Sequence, residues 1–392
     1  SREIWILTLI TFINRAGTMV LPFLSKYLRE DLDFSYNQVK WILISFGLGS
    51  IVGSWLGGKL SDKIGFYKIM IFSLMTSGIA FFGLQFVTSF EGLLVAMFFI
   101  MVVADMFRPA MFVSLGAYAK PENRTRALTL VRLAINLGFA AGPALGGLLI
   151  MTVGYKGLFW VDGATCILAI LIFWIKVKEK KKSKYTDKEH PGEILTNSVF
   201  KDRPFWIFLG ATLITGILFF QLFTTIPLYH KEQFNLSELQ TGLLLTLNGV
   251  LIFFLEMPIV SYIERHKINK LKVITLGCLA MAISIYLLLV NQWAGILIIM
   301  MLFMTFGEMF VFPFSNSFAM SRAPKGHEGR YMAIFTMSYS TAHILSAEAG
   351  MDMIRLFSYQ NNWFFMGTLG VIGVLLFIWT MKLVKYEPPR NL

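Results

Sequence analysis

The chain has 392 residues, 56% hydrophobic and only 15% charged, against about 25% charged in an average soluble protein. With 37 Phe, 21 Met and a mean hydropathy of +0.65, this excludes most water-soluble folds. Two Cys leave no disulfide framework, and a net charge of +12 points to nucleic acid only if the apolar excess is ignored.

A membrane span needs about 20 mostly apolar residues. Twelve such stretches can be placed: 4–28, 38–60, 69–88, 91–118, 127–152 and 157–176, then 204–229, 238–263, 270–290, 293–320, 330–356 and 360–384. The expected fold class is therefore an all-α membrane protein of twelve transmembrane helices. Loops are short, with no room for a folded extramembrane domain. The first stretch carries Asn14 and Arg15 in its middle and lacks a small-residue cleavage site, so it reads as a retained helix rather than a signal peptide.

The basic residues fall on alternate loops. Lys59, Lys63 and Lys68 follow span two, and Lys120, Arg124 and Arg126 follow span four. Arg265, Lys267, Lys270 and Lys272 follow span eight; Arg322, Lys325 and Arg330 follow span ten; Lys382, Lys385 and Arg390 close the chain. The opposite loops, Glu30–Asn37, Thr88–Glu91, Asn291–Trp293 and Tyr359–Asn362, are poor in Lys and Arg. The bias predicts that both termini are cytoplasmic, in a bacterial-type inner membrane. The net charge is then an inner-face bias, and no nucleic-acid partner is expected.

The longest polar segment, with its Lys-rich core, separates residues 1–176 from 204–392 and reads as a cytoplasmic linker over 177–203. Its Lys content suits the anionic inner leaflet; a flexible tether is the simpler account. The flanking halves repeat. Asp105-Met106-Phe107 matches Glu308-Met309-Phe310, Pro121 matches Pro324, and Pro22 matches Pro227, at nearly constant offset. A duplicated six-span unit fits two pseudo-symmetric halves working by alternating access.

Gly58-Lys-Leu-Ser-Asp62-Lys-Ile-Gly65-Phe-Tyr-Lys68 resembles the signature loop of the major facilitator superfamily, with Phe66 and Tyr67 replacing its first basic residues. Span five, Gly138-Phe-Ala-Ala-Gly142-Pro143-Ala-Leu-Gly146-Gly147, is similar to the span-five motif of drug:proton antiporters in that superfamily, and FRPA at 107–110 resembles the multidrug-efflux branch. The resemblance implies a transporter whose cavity is lined by spans one, four, seven and ten, driven by the proton gradient without a cofactor. A second branch, the proton-coupled oligopeptide transporters, is resembled by Glu308 five residues before Pro313, by Ala323-Pro324, and by Arg15 standing for the arginine of an E-x-x-E-R motif. Thr11 and Asn14 stand where that motif has glutamates.

Gly58, Asp62 and Gly65 suit a tight interhelical turn, with Asp62 free to cap a neighbouring helix or pair with Arg126. A cytoplasmic latch involving Lys68 is one reading; a solvated turn is the other. Gly138, Gly142 and Gly146 share one helix face, where small residues let backbones touch, and Pro143 can bend the helix. They fit a pliable interdomain contact or ordinary packing.

A charge at mid-membrane costs roughly 2.5–3.5 kcal/mol on insertion scales, so it normally faces a cavity and has a partner. Arg15, Asp105, Arg108 and Glu308 fall near the middle of their spans. Asp105 and Arg108 can pair on one helix face, and Arg15 is a candidate partner for Asp105 or Glu308. Glu308 is the first candidate for proton coupling and Asp105 the second; a fixed ion pair is the plainer alternative. Asn14, Arg15, Arg108, Gln221 and Glu308 are candidates for substrate contact. Glu256 lies in span eight, just before Pro258. Glu348, Asp352 and Arg355 share a face of span eleven, as an outer gate, a substrate contact or a salt-bridged surface. Asn136, Asn248, Asn316, His343, Cys166 and Cys278 read as packing residues.

No His/Cys/Asp cluster has metal-ligand spacing, no Gly-rich phosphate loop is present, and no nucleophile and base come together, so metal, ATP and enzyme chemistry are not expected. The preferred function is export of amphipathic organic compounds in exchange for protons. Proton-coupled uptake of a peptide or another small zwitterion is the alternative, with a non-transporting receptor or lipid scramblase in another class. The expected partners are a small-molecule substrate, protons and membrane lipid, with the chain a monomer.

Overall fold

The computed structural model describes residues 2–119, 124–180, 199–290, 292–322 and 328–386; within helices, the side chains of 62, 116, 124–126, 128–129, 328–330 and 332–333 are outside the description. Pro121, Pro324, Lys120, Lys325, the Ala323-Pro324 pair, Asn291, Arg390 and linker residues 181–198 also lie outside it.

Fifteen α-helices follow in chain order among the described residues. Span one is α1 (Arg2–Gly17), α2 (Val20–Lys26) and a π-helical turn (Tyr27–Asp31). α3 (Tyr36–Ile64) and α4 (Phe66–Leu84) are spans two and three, and α5 (Phe90–Asp105) with α6 (Phe107–Tyr118) forms span four. α7 (Arg124–Val153), α8 (Lys156–Lys176) and α9 (Arg203–Thr224) with α10 (Ile226–Phe234) follow. The rest are α11 (Glu238–Arg265), α12 (Lys270–Leu287), α13 (Ile296–Arg322), α14 (Glu328–Leu356) and α15 (Tyr359–Lys385). Eleven helical stretches among the described residues are long and apolar enough to cross a membrane. α14 completes the expected twelve: its 29 residues suffice in length, but Glu348, Asp352 and Arg355 dilute its apolar content.

In hydrocarbon the backbone must satisfy itself, so apolar runs become helices and their ends are capped. Ser35 and Gln38 form a reciprocal capping box at the start of α3. Ser89, Asn269 and Ser358 cap α5, α12 and α15. Large rings such as Trp5, Trp55, Phe99 and Phe254 are exposed, which suits contact with lipid.

The tight turn expected at Gly58, Asp62 and Gly65 is confined to Gly65. α3 runs through Gly58 and Asp62 to Ile64, and only Gly65, at φ 95°, takes a backbone conformation that other residues resist. Around Gly58 there is open space, so nothing there demands a glycine. Lys68 is exposed on α4.

The chain divides into two compact units, one of Ser1–Lys184 with Phe223–Phe253 and one of Tyr185–Leu222 with Phe254–Leu392. α10 and the first half of α11 belong with the first unit, because a glycine at 242 or 249 lets α11 lie directly on Pro143 or Ala140 of α7. Ile4, Leu7 and Ile10 of α1 anchor the first unit's core, with Phe66 and Met70 of α4, Phe107 of α6 and Phe173 of α8. The core of the second gathers Phe205 and Phe208 of α9, Ile274 of α12, Phe314 and Phe318 of α13 and Phe377 of α15.

Candidate functional site

Two helix breaks build the site in the first unit. Span one stops being regular at Thr18-Met19, between α1 and α2, and span four turns at Met106, between α5 and α6. Broken helices free backbone groups at membrane depth, which is tolerated where protein or a polar cavity meets them. A cavity of about 70 Å3 lies there, lined by Asn14, Arg15 and Thr18 of span one, Asp105 of span four, Asp162 of α8 and Ser77 of α4 among others. It holds a few waters and not a drug-sized molecule.

Asp162 is 3% exposed. It accepts the backbone N–H of Met19 at 2.8 Å, which Met19 shares with the Gly17 carbonyl, and of Val20 at 3.3 Å, where α2 begins. Sequence reasoning missed it, although it is the one acid inside the run 157–176 and the rule that singled out Asp105 applied equally. Asn14 is buried beside it and donates to Cys166 Sγ at 3.4 Å.

Asp105 sits at the last position of α5, where it accepts the hydroxyl of Ser50 from α3. Its expected ion pair with Arg108 does not form: Arg108, just past the break, is exposed, and Asp105 makes no ion pair among the described residues. The turn at Met106 breaks the helical register that the pairing needed. Arg15 lines the same cavity, with its guanidinium 5.7 Å from the ring centre of Phe139. The face carrying Gly138, Gly142 and Gly146 packs on span one, at Arg15-Ala16, Ala16 and Met19-Phe23 in turn. It is Ala140, Pro143 and Gly147 that meet α11.

A second polar group closes the end of span one away from the chain's start. The Lys26 side chain is fully buried and donates to Glu238 of α11 at 3.1 Å, with Glu30 at 4.0 Å. Tyr155 donates to Glu30 at 2.8 Å, and burial with this carboxylate pushes its hydroxyl pKa up. His230 of α10 is fully buried nearby, with neither ring nitrogen bonded among the described residues; burial, then the Lys26 charge, pushes its pKa down to about 3. Sequence reasoning missed Lys26, Glu238 and His230, which sit at span ends where charges are ordinary.

In the second unit, Glu308 lies half-buried on α13 within electrostatic reach of Tyr339 on α14. Gln221, expected to face substrate, is instead fully buried: its amide donates to Ser346 Oγ at 2.8 Å and accepts from Asn362 at 3.4 Å, tying α9 to α14 and α15. Asp352 and Arg355 pair at 3.2 Å, both partly exposed, and Glu348 is exposed. His343 is buried edge-on to Phe220. Asp202, just before α9, is bound by Arg322 at 2.6 Å and by the Tyr331 hydroxyl at 3.0 Å. The Asp62 and Arg126 side chains lie outside the described residues.

Apolar helices with breaks at intramembrane charges define the class of secondary transporters. The chain belongs to the major facilitator superfamily, whose family model matches residues 4–347. It is 23% identical to a Na(+), Li(+), K(+)/H(+) antiporter of Planococcus maritimus, over 97% of this chain and 96% of that one. It is 27% identical to the MFS-type transporter YttB of Bacillus subtilis, over 84% and 83%, and 25% identical to the quinolone resistance protein NorA of Staphylococcus aureus, over 64% of each. Among solved structures, an auto-inhibited peptide transporter of the POT family superposes with a TM-score of 0.81 at 16% identity, over 100% of this chain and 98% of that one. The nucleoside transporter NupG gives 0.80 at 13%, over 96% and 99%. These two show the fold alone. The protein is therefore a multi-pass integral membrane transporter.

Proposed function

We propose that the protein is a proton-coupled antiporter that exports amphipathic organic compounds by alternating access, with both termini cytoplasmic. The observation that carries the coupling is the water-sized cavity at the helix breaks, where Asp105 and Asp162 face the same space and neither makes an ion pair among the described residues. Carboxylates so placed can take and release protons through water. Glu308 is the proton-carrying candidate of the second unit. The export reading draws support from the quinolone resistance relative and the antiporter relative.

A second reading, exchange of monovalent metal cations for protons, is favoured by the small volume of the cavity together with the similarity to the Na(+), Li(+), K(+)/H(+) antiporter of Planococcus maritimus.

Proteoliposomes with a pH-sensitive dye inside test both. A lipophilic cation added outside should alkalinise the lumen, and Asp105→Asn and Glu308→Gln report which acid is needed. Alkalinisation by K+ or Na+ alone would establish the second reading. Lumenal acidification by a dipeptide would overturn both in favour of symport.

A further inference from the structure

Asp162 connects the two polar groups of the first unit. Its carboxylate accepts two N–H groups at the start of α2, Met19 at 2.8 Å and Val20 at 3.3 Å, and no other partner is found among the described residues. α2 is seven residues long and ends at Lys26, whose buried ammonium holds Glu238 at 3.1 Å. A segment of that length is about 10 Å long, and it runs directly into the π-helical turn Tyr27–Asp31. Met19 and Phe23 pack closely on α7 at Gly146, where a Cβ would lie 3.0 Å from Phe23 and 3.2 Å from Met19. One end of α2 is thus pinned by a carboxylate that faces a polar cavity, and the other end forms the closure.

Building on the antiport reading, we propose that Asp162 is a positioning residue that pins the break in span one while it is ionised, and releases α2 when its charge is neutralised. A proton from cavity water bonds to Oδ2 and returns to water later; no other bond is made or broken. The neutral carboxyl no longer offers an anion to two converging N–H dipoles, so the start of α2 loosens and Lys26 can leave Glu238. A cationic group entering the cavity neutralises the same charge. Proton and cargo cation therefore unlock one pin in turn, and the empty, ionised carrier stays locked, which is the condition for tight exchange.

The charged and titratable groups around Asp162 are Arg15 of α1, Asp105 of α5 and Cys166 of its own helix. Those around the closure are Lys26, Glu30, Glu238, His230 and Tyr155. Any of these could move with pH, so the test separates them.

Ser25, beside Lys26, is fully buried while the closure holds, and Cys166 and Cys278 are buried elsewhere. In the full chain carrying Ser25→Cys, reconstituted in liposomes, labelling by a membrane-impermeant maleimide is expressed at each pH as a ratio to the rate for a free cysteine, because only the thiolate reacts; on that scale the site should label slowly at alkaline pH. It should label faster at acid pH, by about tenfold, the ratio that loss of a partly buried charge–dipole contact gives. Adding Asp162→Asn should make labelling fast at every pH. His230→Gln should leave the pH dependence in place. Slow labelling with an unchanged pH profile in Asp162→Asn would overturn the pin. If Asp162→Asn does not fold, Asp162→Glu carries the test: the labelling midpoint must shift, and an unmoved midpoint overturns the proposal. The readout needs no cargo, so it is independent of the antiport reading. Wild-type chain that moves no protons with any cargo, yet labels in this Asp162-dependent way, loses that reading and keeps the pin.

Discussion

Asp162 in the first unit and Asp202 in the second are both almost fully buried carboxylates at the start of a helix, yet they are held in opposite ways. Asp202 faces the Arg322 guanidinium, through Nε and a terminal nitrogen, and the hydroxyl of Tyr331. Among the described residues, Asp162 has two backbone N–H groups and a cavity. A carboxylate matched by a cation and a hydroxyl has no reason to take a proton. One held by dipoles alone, next to water, has. The difference teaches that burial by itself does not mark a working acid; the partner does.

The sharpest way to break this comparison is to remove one side of the matched pair. Asp202→Ala leaves Arg322 buried without its anion, at a cost of about 3–5 kcal/mol. Thermal unfolding in detergent should show a large fall in Tm or no recoverable protein. Replacing both partners, Asp202→Leu with Arg322→Met, should regain most of the loss. An unchanged Tm in the single variant would mean that the pair is not a lock.

Asp162→Asn should be milder for folding, about 1–2 kcal/mol, because the amide oxygen still accepts one N–H, while the charge–dipole attraction and the second acceptor are lost. A fall in Tm as large as that of Asp202→Ala would erase the distinction between the two acids.

His230 extends the series to a buried group whose ring nitrogens have no hydrogen-bond partner among the described residues. Burial, then Lys26, holds its pKa at about 3, below the ordinary value of about 6.5. Stability is therefore complete above the ordinary histidine value and declines as pH falls from there toward the folded value. One pH unit below the ordinary value the loss is about 1 kcal/mol. Tm measured against pH should show that decline, and His230→Leu should flatten it; an identical slope in the variant would assign the decline to other groups.

The smallest effect belongs to Asp352 and Arg355, which are paired but 31% and 41% exposed. Arg355→Ala should change stability by less than about 1 kcal/mol, since water and salt screen such pairs. A shift in Tm comparable with Asp202→Ala would show that this face is buried in the membrane-embedded protein.

Much of the fold was legible in the sequence because it is dictated by chain-local facts. Apolar runs of about 20 residues must be helical in hydrocarbon, whatever surrounds them. Twelve such runs, the signature around Gly65 and the glycine face of span five were all visible. The breaks were not. Pro22 and Pro109 each lack the N–H that would bond back to Thr18 or Asp105 and crowd that carbonyl, which signals a kink but does not say whether the helix parts there; the loss of the Asp105–Arg108 pairing followed from one such break.

The site divides along the same line. Asp105, Arg15 and Asn14 were found because a polar residue inside an apolar run is conspicuous, and the structure brings all three to one cavity. Gln221 was equally conspicuous, but its amide serves to join three helices. Asp162 obeyed the rule and was passed over. Lys26 and Glu238 sit more than 200 positions apart at span ends, where a lone charge looks like an ordinary surface residue.

By itself, then, the sequence determined that this protein spans a membrane many times, where its helices run and which of their residues carry costly charge. Those outcomes depend on transfer from water to hydrocarbon, a property summed along the chain. Which charges meet, which are met by backbone alone and which end of span one is held shut were decided only by tertiary structure. Hydrogen bonds and ion pairs act over about 3 Å, and the groups they join in this protein come from helices far apart in the chain.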